Sequence, residues 1–287
     1  MNNMTIGRYI PYDSKIHKMD SRLKILALII FMVSIFLRFP GNGTMYMNFI
    51  MYGIIAIIIF IIMCIAHVKL SMLFKQLKSL WFMVIVLLII NLLLPNSGDY
   101  FLLFGKLKIY HKALFDTAYI FIRLLLMLSL TMVLTATTTP LDLTYALEWY
   151  LTPLRVVKCP THEIAMTISI ALRFIPTLLD ETDRIMKAQA SRGVDFQNGK
   201  LKEKVRAIIS LIIPLLVSAF QRSEELANAM EARGYNPGAK RTRYRLLKWH
   251  LNDTIAIILL AIFFAGVLYV SISHIDFVVI ISSLIGG

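Results

Sequence analysis

The chain has 287 residues, 58% of them hydrophobic and 16% charged, with a mean hydropathy of +0.71. Soluble domains of this size do not combine these values, so lipid is read as the solvent. The formal charge of +13 would suit nucleic acid, but in so apolar a chain Lys and Arg are better explained as topology signals on the cytoplasmic side of a membrane. No nucleic-acid partner is expected. The two cysteines, Cys64 in an apolar run and Cys159 beside Pro160, have no spacing that suggests a metal site or a disulfide framework.

A hydrophilic stretch of about 22 residues, containing Pro11, precedes the first apolar run over 23–37. No small-residue cleavage site follows that run, so it is read as a spanning helix that stays rather than a removable signal. Turn residues close it at Arg38-Phe39-Pro40-Gly41-Asn42-Gly43. A second span is predicted over 44–66, then a cytoplasmic loop, His67 to Ser79, marked by Lys69, Lys75 and Lys78. A third span over 80–94 ends at Pro95. Residues 96–112 read as a polar external loop, although Lys106, Lys108 and Lys112 weaken the charge bias there. A fourth span, about 113–135, returns the chain to the side of its N-terminus.

The segment 139–250 then departs from pure hydrocarbon and carries 17 of the 30 Lys and Arg residues. It predicts three helices: about 140–152, opened by Pro140 at a position that suits proline, then 161–192 and 201–233. The second and third start apolar and meet a proline (Pro176, Pro214). Each then turns polar and ends in Arg-Gly, so the two form a weak internal repeat. Each proline predicts a kink or a local break. A last apolar run over 255–270 returns to the membrane, and Phe277 to Ile285 either continues it or forms a short re-entrant piece.

Chemical motifs are few. There is no phosphate-binding Gly-x-x-x-x-Gly-Lys-Ser/Thr loop and no Gly-x-Ser-x-Gly elbow. His162-Glu163 would be half of a zinc-protease motif, but Met166 stands where the second His is needed, so the pair reads as a polar helix start. No catalytic residue and no metal site is expected. Arg123 lies inside the fourth apolar run, seven residues after Asp116. An ionisable group at membrane depth raises an ion or proton pathway as one reading, and a structural or snorkelling arginine as the other.

Ser191-Arg192-Gly193 and Ala232-Arg233-Gly234 each close a long helix. Glycine past the last turn can adopt the left-handed conformation that ends a helix, and Arg in the last turn meets the negative end of its dipole. One such ending is an ordinary cap. Two, 41 positions apart on matched helices, suggest paired plugs in which small neighbours let the helix tip enter a groove and a planar guanidinium reach a carboxylate. Two similar sockets, such as a pair of homologous ATPases, would receive them.

At these residues the sequence resembles the transmembrane T component of energy-coupling factor transporters. Near the N-terminus, Gly7-Arg8-Tyr9-Ile10-Pro11, Asp13-Ser14, His17 and Asp20-x-Arg22-x-Lys24 look like that family's opening segment. Ala171-Leu172-Arg173-Phe174-Ile175-Pro176 resembles its second coupling helix, and Ala188-Gln189-Ala190-Ser191-Arg192-Gly193 and Glu231-Ala232-Arg233-Gly234-Tyr235 fall on its two Arg-Gly motifs. Tyr12 stands in place of Gly, Ser21 in place of Pro and Ser191 in place of Ala.

The resemblance implies a non-catalytic scaffold in the plasma membrane of a prokaryote, with its N-terminus cytoplasmic. It also implies that Arg192 and Arg233 dock on two homologous ATPase subunits, and that coupling-helix surfaces hold one small substrate-binding membrane subunit. ATP and Mg would be used by the partners, with no cofactor bound by this chain. Met166, Phe174, Leu178, Leu215 and Phe220 are candidates for the substrate-subunit interface, or else bundle core. The expected architecture is all-α and polytopic, with about five spans. Its regions are 1–138 (N-terminal segment and four spans), 139–250 (three coupling helices, two long and kinked) and 251–287 (the last span). A stand-alone ion-coupled transporter or channel working through Arg123 and Asp116 is the alternative.

Overall fold

The computed structural model describes residues 12–37, 44–93, 100–103, 107–153, 160–196, 200–236 and 249–273. Gly7 to Pro11, Cys159 and Phe277 to Ile285 lie outside the described residues. The chain forms two compact units, one of residues 1–139 and 247–287, the other of residues 140–246.

The first unit is a helical membrane domain. Its helices are α1 (Lys15–Lys18), α2 (Ser21–Phe36), α3 (Thr44–Ile65), α4 (Leu70–Leu93), α5 (His111–Thr137) and, after the second unit, α9 (Leu251–Ile272). α5 is the hub, touching α2, α3 and α4, while α9 packs on α2. Phe31, Ile35, Tyr52, Ile55, Ile59, Met63, Leu126, Leu130 and Leu260 meet in its core. Outward-facing apolar side chains, such as Trp81, Phe82 and Ile262, remain exposed, as a lipid-facing surface requires.

α3, α5 and α9 are long and apolar enough to cross a membrane, and so is α7 (Thr161–Ser191) of the second unit. α2 has 16 residues, about 24 Å of helix, short of the roughly 20 residues a full crossing needs. The apolar part of α4 runs only from Leu80 to Asn91. α4 itself begins ten residues before the predicted span, so Lys75 and Lys78 belong to a helix rather than a loop. Leu, Lys and Gln are good helix formers, and a cationic stretch suits a solvated helix as well as a loop.

The predicted polar loop over 96–112 holds a small antiparallel hairpin, β1 (Tyr100–Leu103) and β2 (Leu107–Tyr110), with Tyr100 opposite Tyr110. It is the one β element among the described residues of an otherwise helical fold.

The start of α2 shows how the chain is punctuated. Asp20 caps it, its Oδ1 accepting from the Arg22 N–H at 2.9 Å. Ser21 then occupies the first helical position, where proline is also favoured. The proline that the resemblance leads one to expect at this position would fit the same helix start. Ser14 caps α1 likewise, accepting from the His17 N–H at 3.3 Å.

The second unit contains α6 (Pro140–Leu151), α7 (Thr161–Ser191) and α8 (Leu201–Ala232), with α7 packed against both others. All three lie where the sequence places them. α8 opens with Glu203 reaching back to accept from the Lys200 N–H at 3.1 Å. Pro176 and Pro214 sit inside α7 and α8, which run through them without the local break considered above. Each ring removes one N–H donor and crowds the carbonyl four residues earlier, which bends a helix rather than ending it.

Candidate functional site

The two long helices of the second unit end in the same way, atom for atom. At α7 the Val194 N–H donates to Gln189 O at 3.1 Å and the Gly193 N–H to Ala190 O at 3.0 Å. At α8 the Tyr235 N–H donates to Met230 O at 2.9 Å and the Gly234 N–H to Glu231 O at 2.8 Å. These paired bonds satisfy the carbonyls that the last turn would otherwise leave without partners. They require a left-handed residue at the glycine, and φ is +86° at Gly193 and +70° at Gly234.

Arg192 and Arg233 are the capping residues just before those glycines, with nearly equal backbone angles (φ −89°, ψ 9° and φ −90°, ψ 10°). Both are exposed, and so are Ser191, Ala190 and Ala232 before them. Neither arginine is in an ion pair among the described residues. Each helix therefore presents a rigid tip bearing one guanidinium beside small side chains. Such a tip can enter a narrow groove and meet a carboxylate there with a planar, two-pronged donor.

Above the tips, both helices expose apolar side chains at helical spacing. On α7 these are Ile164, Ile168, Ile175 and Leu179; on α8 Ile208, Ile212, Leu216 and Phe220 are among them. Of the five interface candidates, Phe220 is on this open surface at 68% exposure. Met166, Phe174, Leu178 and Leu215 are half-buried. The exposed isoleucines were not singled out from the sequence, although their spacing of four and seven residues was readable as one helix face.

His162 does not act with Glu163. Its Nδ1 lies 3.2 Å from Oε1 of Glu148, a buried carboxylate on α6, and the pair joins α6 to the first turn of α7. In the membrane unit, Arg123 and Asp116 form no ion pair among the described residues. The Arg123 guanidinium instead lies 3.8 Å above the ring of Phe36 on α2, a cation–π contact between neighbouring helices.

These features define a polytopic helical membrane protein whose second unit offers two equivalent, arginine-bearing helix tips. Its sequence matches the family model described as "CbiQ: Cobalt transport protein" over residues 13–244. It is similar to proteins named "Energy-coupling factor transporter transmembrane protein EcfT". The one from Bacillus subtilis (strain 168) is 41% identical over 91% of this chain and 96% of its own length. That of Macrococcus caseolyticus is 41% identical over 91% and 95%, and that of Listeria innocua 40% over 94% and 98%. The chain belongs to the CbiQ/EcfT family of transporter membrane components.

Proposed function

We propose that this chain is the energy-coupling scaffold of an ATP-driven importer for a vitamin or other micronutrient. It joins two homologous ATPase subunits to one small membrane subunit that binds the substrate. The single observation that carries this reading is the matched pair of helix ends, with Arg192 and Arg233 as exposed caps on equivalent left-handed turns. One exposed arginine is a surface residue. Two built identically on parallel halves of a repeat call for two equivalent partners, and the ATPases supply them.

In this reading the chain is not an enzyme and binds no cofactor; ATP and Mg are handled by the ATPases. The N-terminus and residues 140–246 are cytoplasmic, consistent with 17 of 30 basic residues falling between 139 and 250. The apolar ridge that includes Ile168, Ile212 and Phe220 provides a face for the substrate-binding subunit, since exposed apolar surface of this extent marks an interaction site.

The test is a pull-down of the tagged chain from native membranes in mild detergent, comparing wild type with an Arg192→Ala/Arg233→Ala variant by mass spectrometry. Wild type should bring down two ATPases and a small membrane protein, and the variant should lose the ATPases. Removing one partner of a buried, hydrogen-bonded charge pair costs about 2 to 5 kcal/mol. Wild type recovered alone, with ion-gradient-driven flux from the purified chain, would favour the stand-alone transporter working through Arg123 and Asp116.

A further inference from the structure

Two hollows in the membrane unit meet at Met19 and differ in chemistry. The first is a cavity of about 460 Å³ among α1, α2, α3, α5 and α9, with Leu23, Ala27, Ile62, Leu130 and Phe263 in its wall. Its one ionisable wall residue among the described residues is Lys24. That ammonium donates to Thr137 O at 2.9 Å and to His17 O at 3.2 Å, so backbone carbonyls satisfy it. Leu259 and Ile65 line the cavity and are also exposed. The cavity therefore opens to the outside of the bundle, which for these helices is lipid.

The second hollow is a polar cleft of about 610 Å³ lined by Asp13, Lys15, Lys18, Trp249, His250 and Asn252, among others. Lys15, Lys18 and Asp13 are exposed, and Lys18 Nζ lies 3.3 Å from Asp13 Oδ1. The other carboxylate of the cleft, Asp253, is fully buried. Its oxygens accept from the Asp20 N–H at 3.1 Å and the His250 N–H at 2.8 Å. Two ammonium groups thus share the cleft with one exposed carboxylate, which suits an anion. Trp249, half exposed beside them, is placed as tryptophans are at a membrane–water interface.

The two hollows follow in the same order along both edges of the site. On α9 the cleft takes Leu251 to Asp253 and the cavity runs from Ala256 to Phe263. On the N-terminal side the cleft takes Asp13 to Met19, and the cavity continues to Phe31. From Leu23 to Phe31 is about 12 Å of helix. Charge at the helix starts gives way to pure hydrocarbon beyond, which is the polarity profile of a lipid molecule.

We propose that this is a binding site for one anionic phospholipid, with an acyl chain in the cavity and the phosphate at Lys15 and Lys18. An apolar cavity does not hold water, and left empty it would deprive its walls of packing contacts. A hydrocarbon tail supplies those contacts, and the bound lipid completes the packing of α9 against its neighbours. The proposal needs only that the membrane unit sits in lipid and stands independently of the scaffold reading.

The test uses the full chain with whatever partners accompany it from native membranes, placed in phosphatidylcholine vesicles. The vesicles carry a trace of phosphatidylglycerol with a photoactivatable diazirine in its acyl chain, and labelled peptides are quantified by mass spectrometry. Trp81 and Phe82 on α4, both exposed, report ordinary lipid contact. Labelling around Leu259 should exceed labelling around Trp81 and Phe82. Leu259→Trp, a larger side chain at an exposed wall position, should occlude the cavity and lower labelling there while α4 is unchanged. Lys15→Gln and Lys18→Gln should each lower cavity labelling about fivefold, as expected for one cation near an anionic headgroup. A phosphatidylcholine probe should be insensitive to both.

Cavity labelling no higher than at α4 overturns the proposal, and is also the result expected if side chains of a partner fill the space. Full labelling in Leu259→Trp overturns it as well. Should that variant fail to fold, the lysine variants decide: labelling unmoved in both, and equal with the phosphatidylcholine probe, means that no anionic headgroup is held.

Discussion

Gly193 and Gly234 occupy the same left-handed backbone conformation at the ends of α7 and α8, φ +86° and +70°, each directly after an exposed arginine. A Cβ added at either glycine would meet nothing within 4 Å. The demand for glycine is therefore conformational and not steric. Gly193→Ala and Gly234→Ala should each destabilise the helix end by about 1 to 2 kcal/mol, the left-handed penalty for an L-residue, and Asn should cost less than Ala. Amide exchange at Val194 or Tyr235 would report it, accelerating in the Ala variants. Exchange rates equal to wild type would show that the turn does not need glycine.

The arginines allow a sharper substitution than alanine. Lysine at 192 and 233 keeps the charge and loses the planar fork. If the sockets recognise geometry, the Lys variants should recover less than half of the roughly 2 to 5 kcal/mol lost by alanine. Titration of purified ATPase against the tagged chain in detergent measures this. Full recovery of affinity by Lys would mean that charge alone is read.

The second unit was legible in the sequence because its punctuation is strong: Pro140 opens α6, Pro160 precedes α7, and Arg-Gly closes both long helices. The N-terminus of α4 was not. Lys75 and Lys78 were read as a loop, although charge says where a residue is solvated and not whether its backbone is helical. The hairpin was missed for the same reason: the apolar stretches Tyr100–Leu103 and Leu107–Tyr110 were subordinated to Lys106, Lys108 and Lys112. The hydrogen bond from the Asp20 N–H to Oδ1 of Asp253 had no local signal, because its partners are 233 positions apart and each looks like an ordinary helix start. The matched tips were readable as a repeat, but the identity of their hydrogen bonds was not.

The contact of His162 with Glu148 ties α6 to the first turn of α7. Glu148 is buried and His162 half-buried, at 3.2 Å. Glu148→Ala leaves a buried site without its acceptor and should destabilise the unit by about 1 to 3 kcal/mol. His162→Ala should cost less, because its ring is partly solvated. Thermal unfolding in detergent orders the two. A larger loss from His162→Ala would mean that the imidazole does more for the unit than meet Glu148.

In the membrane unit, Tyr52 is the side chain that ends α2 as well as part of α3. It is 1% exposed. Its hydroxyl donates at 2.9 Å to Ile35 O, one of the carbonyls that the last turn of α2 leaves without a helical partner. The same hydroxyl is 2.9 Å from that of Tyr119, and the two rings stack at 5.1 Å. Tyr52→Phe keeps the stack and removes the donor, so it should cost about 1 to 3 kcal/mol, the range for a buried acceptor left unpaired. Tyr52→Ala adds a cavity and should cost about 3 to 5 kcal/mol.

Arg123, over Phe36 near the end of α2, belongs to the same helix contact. A cation–π contact contributes about 0.5 to 2 kcal/mol. Arg123→Leu should therefore lower stability modestly and leave ATP-driven uptake within about twofold of wild type. Abolished uptake in a stably folded Arg123→Leu complex would return the residue to the transport pathway and count against a purely structural contact.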